Sequence, residues 1–90
     1  MLTKRKLEHV FKNAIENRHP FVGVKIKMQG FPECELVINP YDNLEDKLKY
    51  YQKAYDDNLV LHTYSGIQIV GVASGYLHNV VTKLEGNKNE

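Results

Sequence analysis

The order of apolar and polar residues divides the chain into helical and extended stretches. Leu7, Val10, Phe11, Ala14 and Ile15 recur at i, i+3, i+4, i+7 and i+8, the single apolar stripe of an amphipathic helix. Thr3 offers a capping hydroxyl ahead of it. Pro20 stops it at or before His19, because the residue preceding a proline is pushed out of the helical region. From Phe21 to Gln29 the period changes to two. Val22, Val24, Ile26 and Met28 point one way; Phe21, Gly23, Lys25, Lys27 and Gln29 point the other. Gly30-Phe31-Pro32-Glu33 has turn composition. Cys34 to Asn39 alternates again, with Cys34, Leu36 and Ile38 read as inward, so this region is predicted to be an antiparallel hairpin.

Asn39-Pro40 breaks the strand. Asn43, with Asp46 three residues on, has the pattern of a capped helix start. Leu44, Leu48, Tyr51 and Tyr55 follow as its buried stripe. After the loop Asp56-Asp57-Asn58, Leu59–Tyr64 and Ile67–Ala73 read as a second hairpin around Ser65-Gly66. Ser74 then caps a short helix with the stripe Leu77, Val80, Val81 and Leu84, and Gly86 is suited to end it. The order α-β-β-α-β-β-α predicts an α+β fold: a four-stranded antiparallel sheet built from two hairpins, with the helices packed on it. Residues 1–86 form one domain in this reading, and 87–90 a frayed polar tail.

The first hairpin shows a polar face of Lys25, Lys27, Gln29, Glu35 and Asn39, relieved by Val37. The second does not. Ile67, Ile69 and Ala73 are assigned to one side, yet Val70 and Val72 make the other side apolar too, next to Val60, His62 and Tyr64 of the preceding segment. Strands apolar on both sides are usually covered on both sides. Either one helix crosses to the second face, the slightly favoured expectation, or a partner buries Val60, Tyr64, Val70 and Val72. A second copy is then the simplest partner. Lys25, Lys27 and His62 would form the polar surround.

Length and composition narrow the classes further. Ninety residues suit one small domain, and a 42% hydrophobic content is too high for a disordered chain. No apolar run approaches the ~18 residues of a membrane span, and the N-terminus lacks the apolar stretch of a signal peptide. A single cysteine makes no internal disulfide, so a cytoplasmic setting is expected. The formal net charge of +1 conceals an uneven distribution. Lys4, Arg5, Lys6, Lys12, Arg18, Lys25 and Lys27 outweigh Glu8 and Glu16 in the first third, whereas acids dominate the middle third. With Phe21 available for stacking, those seven cations are a candidate nucleic-acid surface if the first helix and first strand lie together. The near-neutral total and the lack of an RNP-type strand or GXXG loop weigh against it.

Catalytic and metal patterns are weaker still. His9, His19, His62, His78 and Cys34 contain no metal-ligand pair at short spacing. Cys34, sharing a face with Leu36 and Ile38, reads as a core residue rather than a nucleophile served by His62. Gly71-Val-Ala-Ser-Gly75 lacks the Walker lysine and sets its serine one place late for a nucleophile elbow. No cofactor is expected, and an enzyme is the least supported class. The residues favour a small accessory or regulatory protein, a protein-interaction module acting through a sheet face or helix surface with homodimerisation as one form of it. Nucleic-acid binding is the alternative.

Overall fold

A computed structural model describes residues 1–85, so the predicted helix end at Gly86 and the tail 87–90 lie outside the described residues. The first helix, α1 (Lys4–Glu16), starts where expected: the Thr3 hydroxyl accepts the Lys6 N–H. It ends in a Schellman motif. The His19 N–H bonds Ala14 O at 2.9 Å and the Arg18 N–H bonds Ile15 O at 3.3 Å. Arg18 takes the left-handed conformation that glycine usually fills there (φ 56°) and stacks its guanidinium 5.9 Å from the Tyr41 ring.

Strands β1 (Phe21–Met28) and β2 (Glu35–Pro40) form the predicted hairpin, and β3 (Ile67–Gly75) pairs antiparallel with the other edge of β1. The sheet is therefore three-stranded, in the order β2-β1-β3, not the four-stranded sheet that the second apolar run predicted. Residues 59–64 do not form a strand because only Leu61 N–H and Leu59 O make ladder bonds to β3, while the N–H groups of Leu59, Val60, His62 and Tyr64 bond to Asp56, Ala54 and Leu61. The Asp56 carboxylate accepts the N–H groups of Asn58 and Val60, and Leu59 turns left-handed (φ 63°). Tyr64 N–H folds back to Leu61 O. What remains of the hairpin is one bridge, Val60 to Gln68; a second isolated bridge joins Leu61 backwards to Tyr55.

Two further assignments change with the register. Leu36 pairs with Lys25 and Ile38 with Gly23, while Val37 and Asn39 pair with Val24 and Val22. Residues directly opposite share a face, so Leu36 and Ile38 lie on the side away from Val22 and Val24. Asn39, read as outward and polar, is buried; its side chain donates to Val22 O at 3.2 Å. In β3 a bulge inserts Val70, since Lys25 faces Gly71 and Ile26 faces Ile69. The extra residue inverts the alternation beyond it. Val72 therefore joins Ile67 and Ile69, and Ala73 moves to the other side.

Helix α2 (Leu44–Ala54) follows a 3-10 turn, Tyr41–Asn43, which feeds it directly. Asn43 consequently makes no side-chain capping bond. Helices α1 and α2 run antiparallel over one face of the sheet. Their packing sets Leu7, Phe11 and Ala14 against Leu44, Leu48 and Tyr51, over Val22, Val24 and Ile69. The Phe11 and Tyr51 rings meet edge-to-face at 5.7 Å. The third helix, α3 (Leu77–Glu85), crosses to the opposite face, where Val80 and Leu84 bury against Ala73, Phe21, Leu36 and Ile38. Its approach depends on Gly23: a Cβ there would collide with Val80 Cγ1 and lie 3.0 Å from Leu84 Cδ1. Ser74 belongs to β3 and does not cap α3. Its Oγ lies 2.9 Å from His19 Nδ1, tying the α1–β1 connection to the end of the sheet.

Candidate functional site

Helix α3 covers only part of its face. Its Leu84 reaches as far as Gly71, whose missing Cβ would sit 3.1 Å from Leu84 Cδ2 and 3.2 Å from Lys25 Cβ. One pairing row further along, Lys27 stands opposite Gln68, and Gln68 opposite Val60. Lys27 is exposed, while Lys25, Gln68 and Val60 are half-buried. Val70, the bulged residue, is 40% exposed and stands with Gly71 opposite Lys25. Beyond that row the Gln29 N–H bonds Gly66 O at 2.7 Å. Where Gly66 lacks a side chain, the exposed Tyr64 ring and the Gln29 amide fill the space. The open end of this face thus combines an aromatic ring, small apolar side chains and two lysines.

Of the sequence-predicted patch, Val60, Tyr64, Val70, Lys25 and Lys27 meet here. Val72 does not: the bulge turns it to the α1–α2 side, where it packs against the main core. His62 is exposed; its backbone N–H bonds Ala54 O at the end of α2. His62 and Lys4 add positive charge near Asp56. That carboxyl is held below its usual value first by the N–H of Val60; burial opposes this, and the N–H of Asn58 and those two charges add lesser lowering effects. The signal for the bulge was present in the sequence as Gly71, an isolated glycine within an apolar strand.

The seven cations of the candidate nucleic-acid surface do not form one surface. Lys4, Arg5, Lys6 and Lys12 ride on α1, which packs on the Val22–Val24 side of the sheet; Lys25 and Lys27 project from the opposite side. Lys4 Nζ is engaged with Gln52 O at 2.8 Å, and Arg18 with Tyr41. Phe21 is half-buried beside the α3 cluster. The sheet itself separates the two basic groups.

Cys34 is exposed and lies outside β2, which corrects its reading as a core residue. Among the described residues, His19 and Ser74 are the one base and hydroxyl at hydrogen-bond distance. A nucleophilic pair needs a third group to orient the base, and no carboxylate among the described residues bonds the His19 ring. The contact reads as a structural tie. No cluster of three or more His, Cys, Asp or Glu side chains suited to a metal occurs among the described residues. No helix of the described residues is long and apolar enough to cross a membrane. The chain matches no protein-family model, no curated protein and no solved structure.

Proposed function

We propose that this protein is a protein-contact module that binds an acidic, apolar-bearing polypeptide segment through the uncovered end of the α3 face. The observation carrying this reading is the row Lys27–Gln68–Val60 beyond the reach of Leu84, with Tyr64 and Val70 exposed beside it. Apolar side chains ringed by polar ones are the usual anatomy of an interface. Because the charges of this patch, Lys25 and Lys27, have one sign, a complementary partner brings carboxylates. Two copies meeting here would gather four lysines, Lys25 and Lys27 of each, into one interface, so this surface favours a different chain. The split of the basic residues across the sheet leaves only Lys25 and Lys27 here for a nucleic-acid backbone, which supports the peptide reading over the alternative.

The test is an amide chemical-shift titration with two probes at low salt: a Glu/Asp-rich peptide carrying Leu and Phe, and a single-stranded oligonucleotide. The peptide should move Lys27, Val60, Gln68 and Val70, and the combined Lys25→Glu and Lys27→Glu replacement should abolish the shifts. Val70→Asp should weaken the same binding while the protein stays folded. No response to the peptide, or a stronger response of these residues to the oligonucleotide, overturns the proposal.

A further inference from the structure

The opposite side of the molecule carries a second surface with a different charge pattern. Helices α1 and α2 are antiparallel neighbours: Gln52 donates to Glu8 at 2.9 Å near one end, and the Tyr41 hydroxyl reaches Ile15 O at 3.4 Å near the other. Between them runs an open groove of ≈ 480 Å³, with Ile15 and Leu48 along its apolar floor and Lys12, Glu16, Glu45 and Lys49 on its walls. All four charged residues are exposed. Along α1 the wall passes from Lys12 to Glu16. Because α2 runs the other way, its wall passes in the same spatial direction from Lys49 to Glu45. Both walls therefore change from basic to acidic together.

We infer that this groove is a homodimer interface, in which a second copy of the chain docks about a two-fold axis lying across the groove. Such a rotation reverses the direction of both walls. Lys12 then faces Glu16 of the other copy, Lys49 faces Glu45, and the two Ile15–Leu48 floors meet. Isologous contacts require this self-complementarity. A rotation about the groove's own axis would instead bring Lys12 towards Lys49 of the other copy, so the charges select one arrangement. Within the monomer, Lys12 with Glu16 and Glu45 with Lys49 stand at i, i+4 spacing. Such exposed pairs contribute little and are readily exchanged for contacts across an interface. The stems of Lys12 and Lys49 add to the apolar floor while their heads remain at the rim. The inference is independent of the sheet surface proposed above, since the two surfaces share no residue.

Sedimentation equilibrium at low ionic strength should show concentration-dependent dimerisation. Its Kd should rise about tenfold or more at ~1 M salt, where charges are screened beyond ~3 Å. The combined variant Lys12→Glu, Lys49→Glu gives an all-acidic groove, and Glu16→Lys, Glu45→Lys an all-basic one. Each alone should be a folded monomer, and an equimolar mixture should recover a 1:1 dimer. Val70→Asp should leave self-association unchanged. A wild-type protein that stays monomeric at millimolar concentration overturns the inference. So does a dimer that survives both charge variants, or a mixture that fails to associate.

Discussion

On one side of the sheet two helices close over Val22, Val24 and Ile69; on the other, α3 rests on Gly23, Gly71 and Ala73 and leaves Lys27 bare. The first side buries large side chains, among them Phe11, Tyr51, Leu44 and Leu59. The second buries few, chiefly Val80 and Leu84. Since burial of apolar area drives folding, the α1–α2 side supplies most of the stability and the α3 side least. The difference also separates the two candidate surfaces. Charges of one sign beside a thinly covered sheet suit an unlike partner. Charges of alternating sign along a helix pair suit a like one.

The largest effect should come from the thick side. Phe11 is fully buried and packs edge-to-face with Tyr51, so Phe11→Ala should cost about 3–5 kcal/mol in a urea titration. For a domain of this size that is a large share of the whole stability. Leu84→Ala, on the thin side, should fall near the lower end of the roughly 2–5 kcal/mol range, because its site borders solvent and can relax. Equal losses at the two positions would break the comparison and make α3 as integral to the core as α1.

A smaller effect should follow from crowding the seat of α3. A side chain at Gly23 must displace Val80, whose β-branched side chain has little rotamer freedom to yield. Gly23→Ala should cost about 1–3 kcal/mol, and amide exchange should quicken in α3 more than in α1. Val80→Ala removes the colliding Cγ1, so the double variant should lose less than the sum of the two single losses. Strict additivity would show that α3 does not seat on Gly23.

The helical stripes were legible in the sequence because period and burial coincide there. Leu7, Phe11 and Ala14, and Leu44, Leu48, Tyr51 and Tyr55, are buried as the spacing predicts. The strand faces were less legible for a physical reason. With helices on both sides of the sheet, Leu36 and Ile38 pack under α3 while the polar Asn39 is buried on the other side, so polarity no longer marks the inner face. One bulged residue then inverts the faces of β3, and Val72 leaves the predicted patch. The expected fourth strand stopped short on both sides of the Val60–Gln68 bridge: the Asp56 carboxylate takes the Asn58 N–H, Leu59 turns left-handed, and the His62 N–H goes to Ala54 O instead of β3. The open end of the sheet was visible only in part, since Val60, Tyr64 and Val70 were identifiable from their apolar excess. The groove was not visible, because it depends on which helix lies beside which.

The smallest effect is invisible at neutral pH and appears in alkali, again on the thick side. Burial pushes the Tyr55 hydroxyl up to about 12, with the nearby Tyr50 and Tyr51 adding to the rise. The Tyr51 hydroxyl is also raised by burial, partly offset by Asn39. The usual value is 10.0, so below that pH the tyrosines are protonated in folded and unfolded chains alike, and their contribution to stability is fully present. Between pH 10 and about 12 the unfolded chain releases the Tyr55 proton and the folded one retains it. Stability therefore falls as pH rises through this window. Urea midpoints should decline there, and Tyr55→Phe should flatten the decline because the side chain no longer ionises. Phenolate absorbance should show the buried tyrosines titrating together with unfolding. A wild-type midpoint that stays constant to pH 12, or a decline as steep in Tyr55→Phe, would show that this cluster is open to water and that the α1–α2 side is less tightly closed than its packing indicates.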